Sequence, residues 1–525
     1  MDCLFLYGPP GSGKSTIGRL LATRLDLPFI DLDAEIERVA GRTIPEIFAE
    51  EGEAGFRARE KRALEDVSAR TRSVVALGGG ALVNDAAREV AERNGTVICL
   101  DCSLDVLLAR IARQPGTRPL VSGGASEAER RLTALMERRA AHYASFPRRL
   151  DVSVRRPEEL LDEAETLFGV FRIESGDVPS DIVVGAGLLD SVGEHALARG
   201  LGRHAVVVCD ANTAPLYADR VLASLQRAGI QARSVTIPAG EETKTLDTVQ
   251  TMWRAFQAAG LGRTDFAVAV GGGVVGDMTG FAAATWMRGI RWINVSTTLL
   301  SMVDASTGGK TGCDLPGAKN MVGAFHSPSI VLLDVSTLLT LPVREWRCGL
   351  AEAVKHAFIA DPGLRDCLSV FDGLRGRADE AVLGDFSDLV GLASFVSRAL
   401  AVKVGFVRRD PFEKGDRAKL NLGHTVGHAV EVATDFRVRH GEAVAIGTVE
   451  EARFAVRLGW VTDPTWPDCV AAAFAGVGLP TALPEGVTFE SLAAVMRLDK
   501  KKKDGKIRFA LPCGWGDVRL DYVEV

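Results

Sequence analysis

The stretch "LYGPPGSGKST", residues 6–16, narrows the possible folds of this chain more than any other. An apolar run, "DCLFLYG", ends in glycine and is followed by "KSTIGRLLATRL", whose apolar residues recur at helical spacing. A buried strand, a tight turn and a helix fit that order, and such units assemble into a helix-covered parallel sheet. Gly8, Gly13, Lys14 and Ser15 satisfy G-x-x-x-x-G-K-[ST] in this setting. Backbone N–H groups of Gly11, Ser12 and Gly13 can face a phosphate, Lys14 adds charge, and the Ser15 hydroxyl can hold Mg²⁺ beside Thr16.

Further apolar runs at "FIDLD", "VVALGGG" and "TVICLD" extend the α/β pattern to about Phe168. Asp31 and Asp33 fall at the C-terminal edge of the predicted sheet, where open α/β folds bind ligands. Two roles are open to them, capping the next helix or serving a ligand. Around them gather "FRARE" (Arg57, Glu60), Gly78 to Gly80, "TRPL" (Arg118) and "RRAAHY" (Arg138, Arg139). Planar guanidinium groups pair bidentately with carboxylates, so several arginines suit an acidic acceptor. The strand "SVVALGGG" ends in glycines rather than an aspartate, which argues against a nucleotide-driven switch.

At 525 residues the chain exceeds what one hydrophobic core supports. Strand-like alternation restarts in "FRIESGDVPSDIVVGAG", which places a boundary near 170–178. "HAVVVCD", "ARSVTIPAG", "FAVAVGGG" and "WINVSTT" are strands of a second α/β unit ending near 335, and a mainly helical region is predicted beyond it. A net charge of -6 gives no footprint for nucleic acid or a membrane surface, so small-molecule partners are expected. Nine scattered cysteines without framework spacing fit a reducing compartment, and the N-terminus lacks the pattern of an export signal. A cytoplasmic protein is the expectation.

The second α/β unit carries G-x-G-x-x-G at Gly271, Gly273 and Gly276, but no acidic residue follows about 20 positions on, so this is not a standard dinucleotide half. Asp210, at the end of "HAVVVCD", could serve a ribose instead. Polar clusters at "AGEETK" (Glu241, Lys244), "STT" (Thr297, Thr298), "GGKT" (Lys310) and "GAKNMVG" (Lys319, Asn320) read as binding loops. In "RAKLNLGHTVGHAVE", a continuous helix would line up Arg417, Asn421, His424, His428 and Glu431 on one face. Three of the eight histidines, His424, His428 and His440, fall within 17 residues. "HTVGH" lacks the glutamate of a zinc protease, but a three-ligand site with an open position is reachable if a carboxylate joins it, and "GLAEAVKHA" offers Glu352 with Lys355.

Residues 1 to about 168 resemble shikimate kinase. The resemblance implies a P-loop NTPase domain over 1–170, with Lys14 and Ser15 on ATP and Mg²⁺ and Asp31 helping to hold the metal. It puts Asp33, Arg57, Gly79, Gly80 and Arg139 on shikimate, Arg118 in a lid over the phosphoryl group, and Arg110 and Arg156 near the nucleotide. Beyond a linker at 171–178, residues 179–525 resemble 3-dehydroquinate synthase through "GGGVVGDMTGFAAAT", "STTLLSMVDASTGGKT", "KNMVGAFH", "GLAEAVKH", "RAKLNLGHTVGHAVE", "HGEAVA" and "DKKKKDGKIRFALP". This implies a Rossmann-like NAD-binding domain over 179–335 and a mainly helical metal- and substrate-binding domain over 336–525.

The same resemblance assigns a metal, Zn²⁺ or Co²⁺, to Glu352, His424 and His440, with His428 on the substrate side. NAD would meet Asp210, Asn212, Glu241 and Lys244, the loop Gly273, Val274, Val275, Gly276 and Asp277, then Thr297, Thr298, Lys310, Lys319, Thr337 and Thr340. Lys310, Asn320, Lys355, Lys403, Arg417, Asn421 and Lys500 would surround the substrate, Lys500 being one of a lysine run to Lys503. The implied chemistry is a catalytic cycle of hydride removal and return on 3-deoxy-arabino-heptulosonate 7-phosphate, with phosphate loss and ring closure. The expected protein is a bifunctional shikimate-pathway enzyme, commonly a homodimer through the synthase half. Two rivals remain: a synthase with a regulatory front module, and a phosphate-loop switch fused to a metal-dependent dehydrogenase with net redox.

Overall fold

The computed structural model describes residues 3–70, 72–112, 125–174, 178–316, 318–384, 387–496, 502–503 and 506–524. The chain divides into two compact units, Met1–Phe171 and Arg172–Val525, a break inside the expected boundary region.

In the first unit, strands β1 (Cys3–Tyr7), β2 (Phe29–Asp31), β3 (Val74–Ala76), β4 (Gly95–Asp101) and β5 (Arg149–Asp151) form one sheet in the order β2-β3-β1-β4-β5. Every ladder in it is parallel. β1 is buried along its whole length because helices cover both faces, which is why it reads as an unbroken apolar run. The chain leaves β1 toward β2 and β3, then crosses back to β4 and β5, so the crevice at β1's C-terminal end is the switch point where ligands of such sheets bind. Gly13, at φ 97°, turns the chain there into the helix Lys14–Leu25. Cys99 and Cys102 are ordinary buried thiols.

After β6 (Val170–Ile173), which spans the division, come β7 (Ser180–Gly185), β8 (His204–Asp210), β9 (Gln231–Ile237), β10 (Phe266–Gly271) and β11 (Arg291–Ser296). After β12 (Lys310–Leu315) and β13 (Ala318–Phe325) comes β14 (Ile330–Asp334). The main sheet runs β6-β7-β14-β11-β10-β8-β9, parallel from β7 to β9, with β10 and its glycines in the interior between β11 and β8. β12 and β13 form a separate antiparallel hairpin. Lys310, Lys319 and Asn320, expected on loops or strand ends, therefore lie on a two-stranded ribbon, and its short strands interrupted by Gly312 and Gly323 give a weak periodic signal.

Helices Val343–Ile359, Leu389–Arg409, His424–Ala433 and His440–Arg457 dominate the next region. Leu389–Arg409 is long and apolar enough in composition to cross a membrane, yet most of it packs inside this unit. The region predicted to be mainly helical also carries strands, because β15 (Lys502–Lys503), β16 (Lys506–Gly514) and β17 (Asp517–Val523) form an antiparallel sheet. β16 buries Ile507, Phe509 and Leu511 while β17 stays largely exposed, so charged residues break up its apolar pattern.

Candidate functional site

In the first unit Lys14 Nζ donates to the Gly8 and Pro9 carbonyls, each at 2.8 Å, folding back over the glycine loop. Gly11 and Gly13 take positive φ, and Ser12 is buried with Oγ donating to Pro9 O at 2.8 Å. Arg110 reaches this loop through Ser12 O at 3.2 Å, whereas Thr16 is exposed. Ser15 Oγ donates to Asp31 Oδ2 at 2.7 Å, and Asp31 Oδ1 also accepts from Ala34 N–H at 3.5 Å. Asp31 thus takes the capping role and also faces the Ser15 hydroxyl.

The glycines after β3 make room for charge. A Cβ on Gly78 would lie 2.9 Å from both Asp33 Oδ1 and Glu60 Oε1, and one on Gly80 would lie 2.7 Å from Arg57 Nη2 and 3.1 Å from Arg139 Nη2. Two guanidinium groups and two carboxylates therefore converge on one bare turn, and the guanidinium pair suits an acidic ligand. Arg139 Nη1 donates to Gly79 O at 2.7 Å, as does Tyr143 Oη at 2.8 Å. Burial raises the pKa of Glu60 more than its contact with Arg57, at 2.5 Å, lowers it. Arg156, expected near the nucleotide, is exposed and pairs with Glu159 on its own turn. Arg118 lies outside the described residues, as does Lys500 of the second unit.

In the second unit a cavity of about 700 Å³ opens along the C-terminal strand edge. Asp210, Asn212, Glu241, Lys244, Gly273, Val274 and Asp277 line it, with Thr297, Thr298, Lys319, Asn320, Thr337 and Thr340. Lys244 is buried and bridges Asp277 Oδ2 (2.7 Å) and Asn320 Oδ1 (2.6 Å). Burial works against its charge, but Asp277 and Glu241 outweigh it and raise its pKa. Three other residues expected on the nucleotide do not line this cavity. Val275 is buried in the hydrophobic core, because helical rotation turns it inward from Val274. Gly276 faces a separate small recess and Asn294, and Lys310 pairs with Glu413.

The far wall of the same cavity carries His428, Glu431 and His440. The single helical stripe does not form: residues 416–421 make a 3₁₀ turn and Gly423, at φ 78°, starts a new helix at His424. His424, His428 and Glu431 share a face of that helix, while Arg417 and Asn421 lie on the turn before it. Glu352 Oε1 lies 3.7 Å from His424 Nε2 and 3.6 Å from His440 Nε2. Ligand atoms of the three residues lie within 4.8 Å of one another. Glu352 is fully buried, and neither carboxylate oxygen accepts a hydrogen bond from a described residue, although Lys355 is ion-paired with it. One buried carboxylate and two imidazole nitrogens, aimed at one point, fit a Zn²⁺- or Co²⁺-like ion with a position left for an oxygen ligand.

The electrostatics of Glu352 and His424 agree. Burial would raise the Glu352 carboxyl, but Lys355 outweighs it and keeps it ionised. Burial, then Lys355, holds His424 well below the usual imidazole range, so it is neutral and free to ligate. His440 is raised to about 9, because the adjacent Glu352 and Glu431 carboxylates overcome its burial, so an ion binding there must displace its proton.

Lys355 Nζ donates to Leu420 O at 2.8 Å, and Lys403 Nζ to Asp304 Oδ1 at 2.6 Å. Asn421 Nδ2 donates to Glu413 Oε1 at 2.6 Å, and Arg417 is almost fully buried beside them. Asp304, Glu413 and the buried His356, whose Nε2 lacks a described partner, were not singled out by sequence reasoning. The signal for Glu413 is its own backbone: φ 56° in a non-glycine residue, visible only once folded.

A family model for shikimate kinase matches residues 10–166, one for the N-terminal part of 3-dehydroquinate synthase matches 234–348, and one for its C-terminal part matches 349–502. The 3-dehydroquinate synthase of Symbiobacterium thermophilum is 44% identical over 349 residues, 66% of this chain and 94% of that one. That of a Synechococcus species is 48% identical over 307 residues, 58% of this chain and 81% of its own. Among solved structures, a 2-epi-5-epi-valiolone synthase from Streptomyces hygroscopicus with NAD⁺ and Zn²⁺ bound aligns with a TM-score of 0.57 at 28% identity, covering 68% of this chain and 96% of that one. The chain therefore belongs to the 3-dehydroquinate synthase family and carries a shikimate kinase domain in front, which makes it a bifunctional shikimate-pathway enzyme, a kinase and a lyase.

Proposed function

We propose that the first unit transfers the γ-phosphoryl group of ATP to shikimate, and that the second converts 3-deoxy-D-arabino-heptulosonate 7-phosphate to 3-dehydroquinate and phosphate. In this reading residues 179–335 hold NAD and 336–525 hold metal and substrate. The observation that carries it is one cavity with a dinucleotide-type strand edge on one wall and the cluster of Glu352, His424 and His440 on the other.

For the kinase, Arg57 and Arg139 bind the acceptor carboxylate beside Gly80, and Asp33 orients the attacking hydroxyl and accepts its proton. Lys14 swings from its carbonyl partners to the phosphates, and Ser15 with Asp31 would hold Mg²⁺.

For the synthase, Glu352, His424 and His440 would hold Zn²⁺ or Co²⁺, which supplies Lewis-acid polarisation of a substrate oxygen. Asp210, Glu241, Lys244 and the Gly273 turn would hold NAD, which supplies reversible hydride transfer and is regenerated each turnover. Lys310, Lys403, Arg417 and Asn421 bind the anionic ends of the substrate, and His428, exposed on the cavity wall, moves a proton on the substrate side. Holding both ends of the opened chain in one cavity makes ring closure intramolecular and oriented. A cytoplasmic homodimer is the working assembly in this reading.

Purified full-length protein tests both halves. Phosphate release from the heptulosonate phosphate at substoichiometric NAD⁺, with no NADH accumulating, and ADP formation dependent on shikimate are the expected results. Accumulating NADH overturns the synthase reading in favour of a dehydrogenase, and ADP formation indifferent to shikimate overturns the kinase reading.

A further inference from the structure

Glu451, on the His440–Arg457 helix, is fully buried and has no part in the chemistry above. Its Oε2 accepts from Gly423 N–H at 2.5 Å and its Oε1 from Val426 N–H at 3.3 Å. These groups belong to the first turn of the His424–Ala433 helix, whose N-cap residue, Gly423, has no side chain to satisfy them. A carboxylate from the neighbouring helix takes that role, where the helix dipole also favours negative charge.

The Gly423 N–H shares a peptide with the Leu422 carbonyl. That carbonyl lies 3.1 Å from His424 Nδ1. A carbonyl can only accept, so Nδ1 carries the proton and Nε2 keeps its lone pair toward Glu352. A hydrogen bond accepted by Glu451 from one end of the peptide polarises the other end and strengthens its grip on the imidazole. We propose that Glu451 is a positioning residue for His424, fixing the ring's orientation and tautomer through the Leu422–Gly423 peptide. It is the arrangement in which a carboxylate orients a metal-ligating histidine, with a peptide interposed.

The turn has no slack to absorb a change. A Cβ on Gly423 would lie 2.3 Å from Thr448 Oγ1 and 2.7 Å from Val444 O, and one on Gly447 would lie 2.1 Å from Gly423 O. The two helices are flush, and Glu451 follows Gly447 by one helical turn on the same face. Glutamine at 451 has the right length but only one acceptor oxygen, so its amide N–H₂ would confront one of the two backbone donors. The first turn would shift, and His424 with it.

This inference rests on His424 being a metal ligand, and the experiment separates the two claims. Zn²⁺ affinity of the full-length protein is measured by competition with a chromophoric chelator, for the wild type, His424→Ala, Glu451→Gln and Glu450→Gln. Glu450, also buried on the same helix and paired with Arg453, controls for general loosening of that helix. The expected result is stoichiometric binding lost in His424→Ala, weakened about 10–100-fold in Glu451→Gln, and unchanged in Glu450→Gln. Wild-type binding that is absent or independent of His424 overturns the metal assignment. Binding that depends on His424 but is equally tight in Glu451→Gln overturns the positioning role alone. Should Glu451→Gln fail to fold, ¹⁵N-histidine NMR of the metal-free wild type decides: the signals lost in His424→Ala are expected to report the Nδ1–H tautomer, and an Nε2–H tautomer overturns the proposal.

Discussion

Replacing Lys403 by Met removes the partner of Asp304 and leaves a carboxylate in a site where its side chain is 21% exposed. At the observed 2.6 Å separation the attraction is ~6 kcal/mol for an effective dielectric of about 20. Desolvation of two ions offsets most of that, so the intact pair contributes little, but removing one partner costs about 3–5 kcal/mol. Lys355 also acts on Asp304, which puts the expected loss near the lower end, still a large fraction of a typical ~5–15 kcal/mol. Urea unfolding followed by tryptophan fluorescence reads the second unit alone, because all seven tryptophans lie between residues 253 and 515.

The pH dependence checks the cause. Burial would raise the Asp304 carboxyl, but Lys403 and then Lys355 hold it well below the usual range. Its stabilising contribution in the wild type is therefore present above the unfolded value of about 3.9 and lost as pH falls through the folded one. In Lys403→Met the depression weakens, so the deficit relative to wild type should be greatest near neutrality and shrink toward pH ~4. Adding Asp304→Asn should recover most of the loss at neutral pH. A deficit under about 1 kcal/mol, the scale of a surface pair, refutes the reasoning, and so does a deficit indifferent to pH or a double variant no more stable than the single one.

Glu60→Gln should leave the kinase domain's calorimetric transition at pH 7 unchanged or higher. The folded pKa of Glu60 is raised, so its ionisation costs stability as pH climbs above the unfolded value. The same change should raise the KM for shikimate, because Arg57 loses its charged partner; a lower transition with unaltered KM contradicts this. Glu413→Gln should raise the KM for the heptulosonate phosphate about 10–100-fold, the scale of a lost charge-assisted hydrogen bond, since Glu413 holds both Lys310 and Asn421. An unchanged KM removes Glu413 from the site. Treatment with a zinc chelator in excess Mg²⁺ should abolish phosphate release while sparing ADP formation, with Zn²⁺ restoring the first; survival of both activities contradicts the assignment of Glu352, His424 and His440.

Much of the site was legible beforehand because its chemistry is local in sequence. Gly8 to Ser15 fix a strand, a turn and a helix within one short run, and the structure keeps that order. The histidine cluster was visible from spacing, but its division between a turn and a helix was not, since Gly423 and not any apolar period decides where the helix begins. The pairing of Arg156 with Glu159 is likewise a contact that only the folded turn reveals.

The sequence by itself determined which segments bury, through runs and periods of apolar residues, and which residue types could carry phosphate, hydride and metal chemistry. Only the tertiary structure brought Glu352 against His424 and His440 across 72 and 88 residues of chain. It alone revealed Asp304 beneath Lys403, Glu413 between Lys310 and Asn421, and Glu451 behind Gly423. Local propensity is a property of neighbours along the chain, whereas a buried charge finds its partner only where packed helices and strands leave it no water.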